Sequence, residues 1–533
     1  MKSTAVKKNS GVDPHSRWHA VLVGSGILLS RLAGLVRDRV FAHYFGNSDA
    51  ADAFKAAFRI PNFLQNLFGE GVLSASFIPV YANLLGRGEE EEARKVAGAV
   101  AGLLMLVTSI LVAAGVVAAP YLIDGIAPGF TGEKRELCIT LVRILFPGAG
   151  LMVWSAWCLG VLNSHGKFFL SYAAPVVWNL VIIAALLFFG EGGAEQFPLA
   201  EWAAWGSVAG SAAQILIQLP TVLRLLAGLR LSLSARIGGV ATVIRNFVPV
   251  FFSRGVVQIS AYVDSILASL LPTGAVAALA YAQTLYTLPV SLFGMSVSAA
   301  ELPAMARDTG GSDAAEKLRG RLNDGLRRIA FFIVPSAAGF LTLGDVIAAA
   351  IYQTGAFTRW DSIYVWGVLA GSSVGLLANT MGRLYSSAFY ALHDTRTPLR
   401  FALVRVSLAT ALGYLASQHL PAMIGIDTRW GVTGITAASG FCGWVEFALL
   451  RRALNGRIGA TGPGLSYIAR LWIAAILAVA AAWGMRFTAI GLHPVLRAVV
   501  VLGPYGLVYF AAAWALGIKE VRALGRFIPF IKK

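Results

Sequence analysis

Apolar stretches close to twenty residues long recur from about Trp18 to Leu516, separated by short breaks rich in Gly, Pro and charge. A helix needs that length to cross roughly 30 Å of hydrocarbon. Placed by apolar length and by the breaks, the stretches predict about fourteen transmembrane helices. The longest polar connection, about Arg307 to Arg328, is too short for a separate soluble domain. Only 13% of the residues are charged and 57% are hydrophobic, whereas soluble domains average about 25% charged. A soluble enzyme, a nucleic-acid binder and a disordered scaffold are excluded. The fold class is an all-α polytopic membrane protein, with function confined to the bundle or its rims.

The net charge of +17 reads as topology rather than as affinity for nucleic acid. Lys and Arg gather in alternate loops, for example at Arg87, Arg94 and Lys95, at Arg224 to Arg245, at Arg307 to Arg328 and at Arg451 to Arg457. The positive-inside rule then places both termini in the cytoplasm, as an even number of spans requires. Cys138, Cys158 and Cys442 lie in apolar stretches without CxxC spacing, so they read as packing residues. The chain divides into a tail (1–17), an N-lobe (18–228), a C-lobe (240–455), two further helices (465–516) and a basic tail (517–533). Trp18 onward reads as a retained span rather than a signal peptide.

Three weak matches share one period. Ser30-Arg31 corresponds to Ser253-Arg254, Leu67-Phe68-Gly69 to Leu292-Phe293-Gly294, and Leu162-Asn163 to the turn at Leu392-His393-Asp394, at offsets of about 223, 225 and 231 residues. The common offset predicts two parallel six-helix repeats, with the last two helices as an appendage. Transporters bind substrate between such halves and rock one against the other.

No HExxH, GxSxG with plausible partners, or phosphate-binding loop is present; the nearest, Gly160 to Gly166-Lys167, has the wrong spacing and continues with Phe168. What the spans do contain is charge, which costs about 2.5–3.5 kcal/mol per residue at the bilayer centre and therefore marks a cavity or a partner. In span 1, Ser30, Arg31, Gly34, Arg37 and Asp38 fall within about 120° of arc, while Leu28, Leu29, Leu32, Ala33, Leu35 and Val36 occupy the remainder. In span 7, Arg254, Gln258 and Asp264 share a face. Two cationic faces at repeat-related positions point to an anionic, phosphorylated substrate, because a guanidinium fork binds two phosphate oxygens at once. Span 2, with Pro61, Asn62 and Gly69-Glu70-Gly71, is expected to bend or break near mid-membrane.

The run Ser30-Arg31-Leu32-Ala33-Gly34-Leu35-Val36-Arg37-Asp38 resembles the first-span signature of the MurJ (MviN) lipid II flippases of the MOP transporter superfamily. Asp52-Ala53-Phe54, Ala57-Phe58-Arg59-Ile60-Pro61-Asn62, Leu67-Phe68-Gly69-Glu70-Gly71 and Phe77-Ile78-Pro79 continue it. Later matches include Pro175 with Asn179, Gln258 with Asp264, and Asp394-Thr395-Arg396-Thr397-Pro398. The resemblance implies a V-shaped bundle that moves an undecaprenyl-diphosphate-linked disaccharide-pentapeptide across the bacterial inner membrane, as a monomer beside the cell-wall synthesis machinery. It implies cavity roles for Arg31 and Arg37, a substrate contact at Arg59, and support of the cavity or its gate by Asp52, Asn62 and Glu70. It also implies that no cofactor is needed beyond a possible coupling Na+, with Asp264, Asp394 and Thr410 as candidate ligands. Against that site, Asp394 reads as a turn residue in D-T-R-T-P, and the predicted topology separates it from Asp264.

The chain departs from the family at Gln65-Asn66 and at Thr284, where arginines are common. Arg254, Arg383 and Arg405 are the candidates to replace them. The departures leave room for a flippase of another polyprenyl-diphosphate-linked oligosaccharide. A drug/cation antiporter of the same superfamily would need an acidic cavity, which the cationic stripes oppose, and a membrane scaffold has little use for paired charges at depth.

Overall fold

The computed structural model describes residues 14–68, 70–234, 238–307 and 313–521; the side chains of 14–24, 70–71, 249–250 and 252–261 lie outside the description. The described elements are helices, with no strand among them. The chain forms two compact units. The first comprises the chain up to Phe41, Ala56–Asp124 and Gly132–Ile259; the second comprises Ala42–Lys55, Gly125–Thr131 and everything from Ser260.

Helices α1 (Pro14–Phe45), α2 (Asp49–Phe68), α3 (Glu70–Gly86), α4 (Glu90–Ile126), α5 (Gly132–Ser164), α6 (Phe168–Gly190), α7 (Gln196–Leu225) and α8 (Gly238–Ser269) build the first unit and its connections to the second. Without a hydrophobic force between helices in lipid, packing depends on close backbone approach and interhelical hydrogen bonds. Helix α7 uses both. Its Gly206 and Gly210, spaced G-x-x-x-G, let α6 so close that a Cβ at Gly206 would stand 2.6 Å from the Ala185 side chain and one at Gly210 2.9 Å from Trp178. Toward α5, Gln214 Nε2 donates to Ser155 Oγ at 2.7 Å, and Ser155 donates to Gln218 Oε1 at 3.0 Å.

The second unit contains α9 (Ala275–Pro289), a π-helical turn (Val290–Met295), α10 (Ser296–Arg307), α11 (Ala314–Tyr352), α12 (Arg359–Ser373), α13 (Leu376–Ala391), α14 (Arg396–Gln418), the short α15 (Leu420–Ile424), α16 (Gly431–Ile458), α17 (Leu465–Thr488) and α18 (Pro494–Ala515). The C-terminal pair is fastened to α11. Leu343 and Val346 pack with Ala482, Ala498 and Val501, Tyr505 and Tyr509 donate to the carbonyls of Pro335 and Phe331 at 2.6 Å, and Arg486 pairs with Asp345.

Ten described helical segments are long and apolar enough to span a membrane, or eleven if α12 and α13, bent by 44°, form one span. Expected spans 1, 2 and 7 fall on α1, α2–α3 and α8. Charged residues dilute the apolar window of α2, and the described side chains cover only part of the apolar stretches of α1 and α8, leaving Gly239–Val248 as the described apolar piece of α8. In span 2, α2 runs as helix through Pro61 to Phe68; the other expected interruption, Gly69-Glu70-Gly71, includes Gly69, which lies outside the described residues. The matched sequence in the other half, Leu292-Phe293-Gly294, lies in the π-helical turn. At that position regular α-helix is interrupted.

Residues 42–55, at the turn between α1 and α2, are docked throughout in the second unit. Ala356 N donates to His43 O at 2.7 Å, Asn47 Nδ2 to Asp361 Oδ1 at 3.1 Å, and Tyr281 Oη to Gly46 O at 3.1 Å. Thr273 Oγ1 donates to Asp49 at 2.8 Å, and the Lys55 ammonium lies 5.0 Å from the Tyr281 ring centroid. At the centre is Asp52, 1% exposed, whose oxygens accept from Gly274 N at 2.8 Å and Ala277 N at 2.7 Å. Helix α9 opens on Gly274, which has no side chain to cap its orphan N–H groups. A carboxylate from α2 supplies that cap and answers the positive end of the helix dipole. Asp52→Ala should remove about 2 kcal/mol or more. Thermal unfolding of the purified chain should show an apparent Tm several degrees lower, with a smaller drop for Asp49→Ala; an unchanged Tm for Asp52→Ala would contradict the capping role.

Candidate functional site

Helix α1 places Arg31 roughly 26 Å from its first residue and roughly 21 Å from its last, at 1.5 Å per residue, so the guanidinium starts from the middle of the helix. Leu28, Leu29, Leu32 and Val36 are between 46% and 55% exposed, which suits lipid. Arg31 is exposed as well, and no ion pair or hydrogen bond reaches its guanidinium among the described residues. Next to it the helix is open: a Cβ at Gly34 would meet nothing within 4 Å. Ser30 is half-buried.

Two turns further on, Arg37 is held. Its Nη2 lies 3.0 Å from Asp38 Oδ1, with Nε at 3.3 Å from the same oxygen, and Asp38 is 4% exposed. The Arg37 guanidinium also lies 5.1 Å from the centroid of Trp178 on α6, within cation–π range. Trp178 is itself fixed. Gly210 makes room for it, its indole N–H donates to Ser207 O at 3.1 Å, and Phe58 of α2 stacks on it at 5.9 Å. The predicted stripe thus contains one cation that is already paired and one that is open. Trp178 is the residue the sequence did not mark; its signal is its place between Pro175 and Asn179 in the matched pattern.

The other expected site residues scatter. Asp52 does not face open space, being buried at the start of α9. Arg59 and Asn62 are half-buried on α2, and Arg59 has a polar or aromatic partner. The side chains of Glu70 and Arg254 lie outside the described residues. Thr284, at a family arginine position, donates to Ala280 O within its own helix at 3.2 Å.

Two of the candidate cation ligands have local hydrogen-bond partners. Asp394 closes the turn before α14, accepting from Arg396 N at 3.1 Å, Thr397 N at 3.0 Å and Thr397 Oγ1 at 2.7 Å, with Arg457 at 2.6 Å. The Thr397 bonds, then Arg457, hold its carboxyl far below the usual range. Thr410 donates to Val406 O in its own helix at 2.8 Å, about 21 Å up α14 from the turn. No group of three or more His, Cys, Asp or Glu able to hold a metal occurs among the described residues. The Asp394 carboxylate is thus occupied at the start of α14. The reason is local: an aspartate three residues before a threonine N–H is recruited as the helix cap.

A sequence model of the family described as lipid II flippase MurJ matches residues 41–501. The chain belongs to the MurJ lipid II flippase family. Among its relatives, the probable lipid II flippase MurJ of Rhizobium meliloti (strain 1021) is 30% identical over 521 residues, covering 95% of each chain. The lipid II flippase MurJ of Burkholderia cenocepacia is 29% identical, covering 94% of this chain and 98% of its own. A solved lipid II flippase MurJ in an inward closed conformation superposes with a TM-score of 0.74 at 24% identity, over 92% of this chain and 98% of that one. An inward-facing MATE multidrug-resistance transporter of the MOP superfamily superposes with a TM-score of 0.63 at 18% identity, over 82% and 98%. The structural matches carry the fold of this MurJ-family chain.

In this MurJ-family chain, Trp178 is expected to orient Arg37. A cation–π contact of about 0.5–2 kcal/mol corresponds to roughly two- to thirty-fold in affinity for an anionic substrate. Activity should fall in the order wild type, Trp178→Phe, Trp178→Leu at equal amounts of folded protein in the membrane. Equal activity of all three would show that the ring only fills space.

Proposed function

We propose that the chain moves lipid II, the undecaprenyl-diphosphate-linked peptidoglycan precursor, from the inner to the outer leaflet of the bacterial cytoplasmic membrane by alternating access. One observation carries the chemistry: the open Arg31 guanidinium at mid-helix, two turns from an Arg37 already oriented by Asp38 and Trp178. A charge so placed needs water or an anion, and a diphosphate headgroup supplies the anion in a form that a guanidinium binds through paired oxygens. The exposed leucines of the same helix suit the polyprenyl tail. Family membership supplies the rest of the headgroup.

The basic residues of alternate loops support cytoplasmic termini. With no nucleotide-hydrolysing motif in the sequence, the membrane potential is a sufficient drive. Each uncompensated negative charge carried outward is favoured by about 2.3 kcal/mol at 100 mV, inside negative.

The test is depletion in the native host with measurement of the stalled lipid, followed by complementation. Lysis with lipid II accumulating is expected, as is failure of Arg31→Ala to rescue at normal membrane abundance. Normal walls with a different polyprenyl-linked glycan stalled would replace the substrate, and full rescue by both Arg31→Ala and Arg37→Ala would overturn the site.

A further inference from the structure

Helix α13 is buried along almost its whole length. Of its residues from Leu376 to Ala391, only Asn379, Arg383, Ser386 and Tyr390 escape burial. At 100° per residue these four lie within about 60° of arc. They form one stripe, and every member is polar. Exposed positions open to lipid look different, as the next helix shows: Leu399, Leu403, Leu408 and Leu415 of α14 are 39% to 52% exposed. With no water in the hydrocarbon to satisfy it, a polar stripe at membrane depth must face an aqueous space.

The stripe is fixed at its upper end. Asn379 Nδ2 donates to Tyr286 Oη of α9 at 3.1 Å, and Asn379 Oδ1 lies where a Cβ at Gly443 of α16 would come within 2.1 Å; only glycine leaves room there. One turn on, Arg383 stands eight residues from the end of α13, about 12 Å along the helix, near the middle of a roughly 30 Å core. Arg383, Arg405 and Asp264 are all electrostatic neighbours of Tyr286. Arg405 is already engaged, 2.9 Å from Glu446 across α14 and α16, with both side chains mostly buried. The Arg383 guanidinium is exposed and has no ion pair or hydrogen bond among the described residues. Of the arginines that could replace the cations missing at Gln65 and Thr284, Arg405 is paired with Glu446, and among those with described side chains Arg383 is the open one.

We propose that Arg383 binds a phosphate of the transported lipid directly, with Asn379, Ser386 and Tyr390 lining the aqueous path of the headgroup along α13. This rests on the flippase reading above. Arg383 is the one charged member of the stripe, its other members being neutral hydrogen-bonding groups; Glu446, already paired with Arg405, lies within its electrostatic reach. The stripe suits a diphosphate carrying sugar: the guanidinium takes the charge, and the amide and hydroxyls suit the glycan.

The experiment titrates the full chain, in nanodiscs of zwitterionic lipid, with undecaprenyl diphosphate and with uncharged undecaprenol. Arg383→Gln should weaken diphosphate binding roughly tenfold or more, flatten its salt dependence, and leave undecaprenol unaffected. Arg383→Lys, which keeps the charge without the fork, should fall between Gln and wild type, and its fold is checked by Tm. Arg31→Gln serves as reference. If Arg31→Gln weakens binding while both Arg383 variants match wild type, the role of Arg383 is overturned and the flippase reading stands. If wild type does not distinguish the diphosphate from the alcohol, both fall. Loss of undecaprenol binding alongside the diphosphate would make Arg383 structural and overturn the contact. Inorganic pyrophosphate should compete only at far higher concentration; competition at equal concentration would make the ligand a free diphosphate and overturn the assignment to a lipid.

Discussion

A guanidinium at membrane depth must be answered by a counter-charge, by water or by a bound anion, since desolvating it alone costs several kcal/mol. The arginines of this chain meet that demand in different ways. Arg37 is answered by the buried carboxylate of Asp38 and by the face of Trp178. Arg405 is answered by Glu446. Arg31 and Arg383 are left open. The paired arginines are compatible with a resting protein, whereas the open ones are where an anionic cargo contributes what the chain lacks. Among the described residues both kinds occur, paired at Arg37 and Arg405 and open at Arg31 and Arg383, which suits a carrier that must hold its cargo and also let it go.

Small residues make these placements available. Gly210 admits Trp178 between α6 and α7, and Gly443 admits the Asn379 amide against α16. In neither case does glycine act through the chemistry of a side chain; it brings a neighbouring polar or aromatic group to a depth where lipid would otherwise exclude it. Asp52 works at longer range. It caps a helix that begins on a glycine, and so binds the turn between α1 and α2 into the second unit.

Much of this was legible in the sequence. Apolar length gave the helical membrane fold, and the Ser30 to Asp38 run marked the helix that carries an open and a paired arginine. The shared offset of Leu67-Phe68-Gly69 and Leu292-Phe293-Gly294 drew attention to a segment that, at Val290–Met295, departs from regular α-helix. Other features were hidden for definable reasons. Asp52 and Asp394 are acids in matched motifs, yet both are consumed by helix N-termini, and one of those lies 222 residues away, beyond any local pattern. The α13 stripe was invisible because Asn379, Arg383, Ser386 and Tyr390 stand out only once the apolar residues between them are known to be buried. Pro61 drew attention as a breaker, but a helix among other helices tolerates proline, and α2 runs on to Phe68.

The most direct test of the central claim, that open guanidinium positions face water rather than lipid, is cysteine accessibility in a background lacking Cys138, Cys158 and Cys442. Arg31→Cys, Arg383→Cys and, as the lipid-facing control, Leu403→Cys would be exposed to a charged, membrane-impermeant thiol reagent. Rapid modification at 31 and 383, slowed by lipid-linked diphosphate, with no reaction at 403, is the predicted result. If positions 31 and 383 prove as unreactive as 403, the arginines point into hydrocarbon and the account is contradicted.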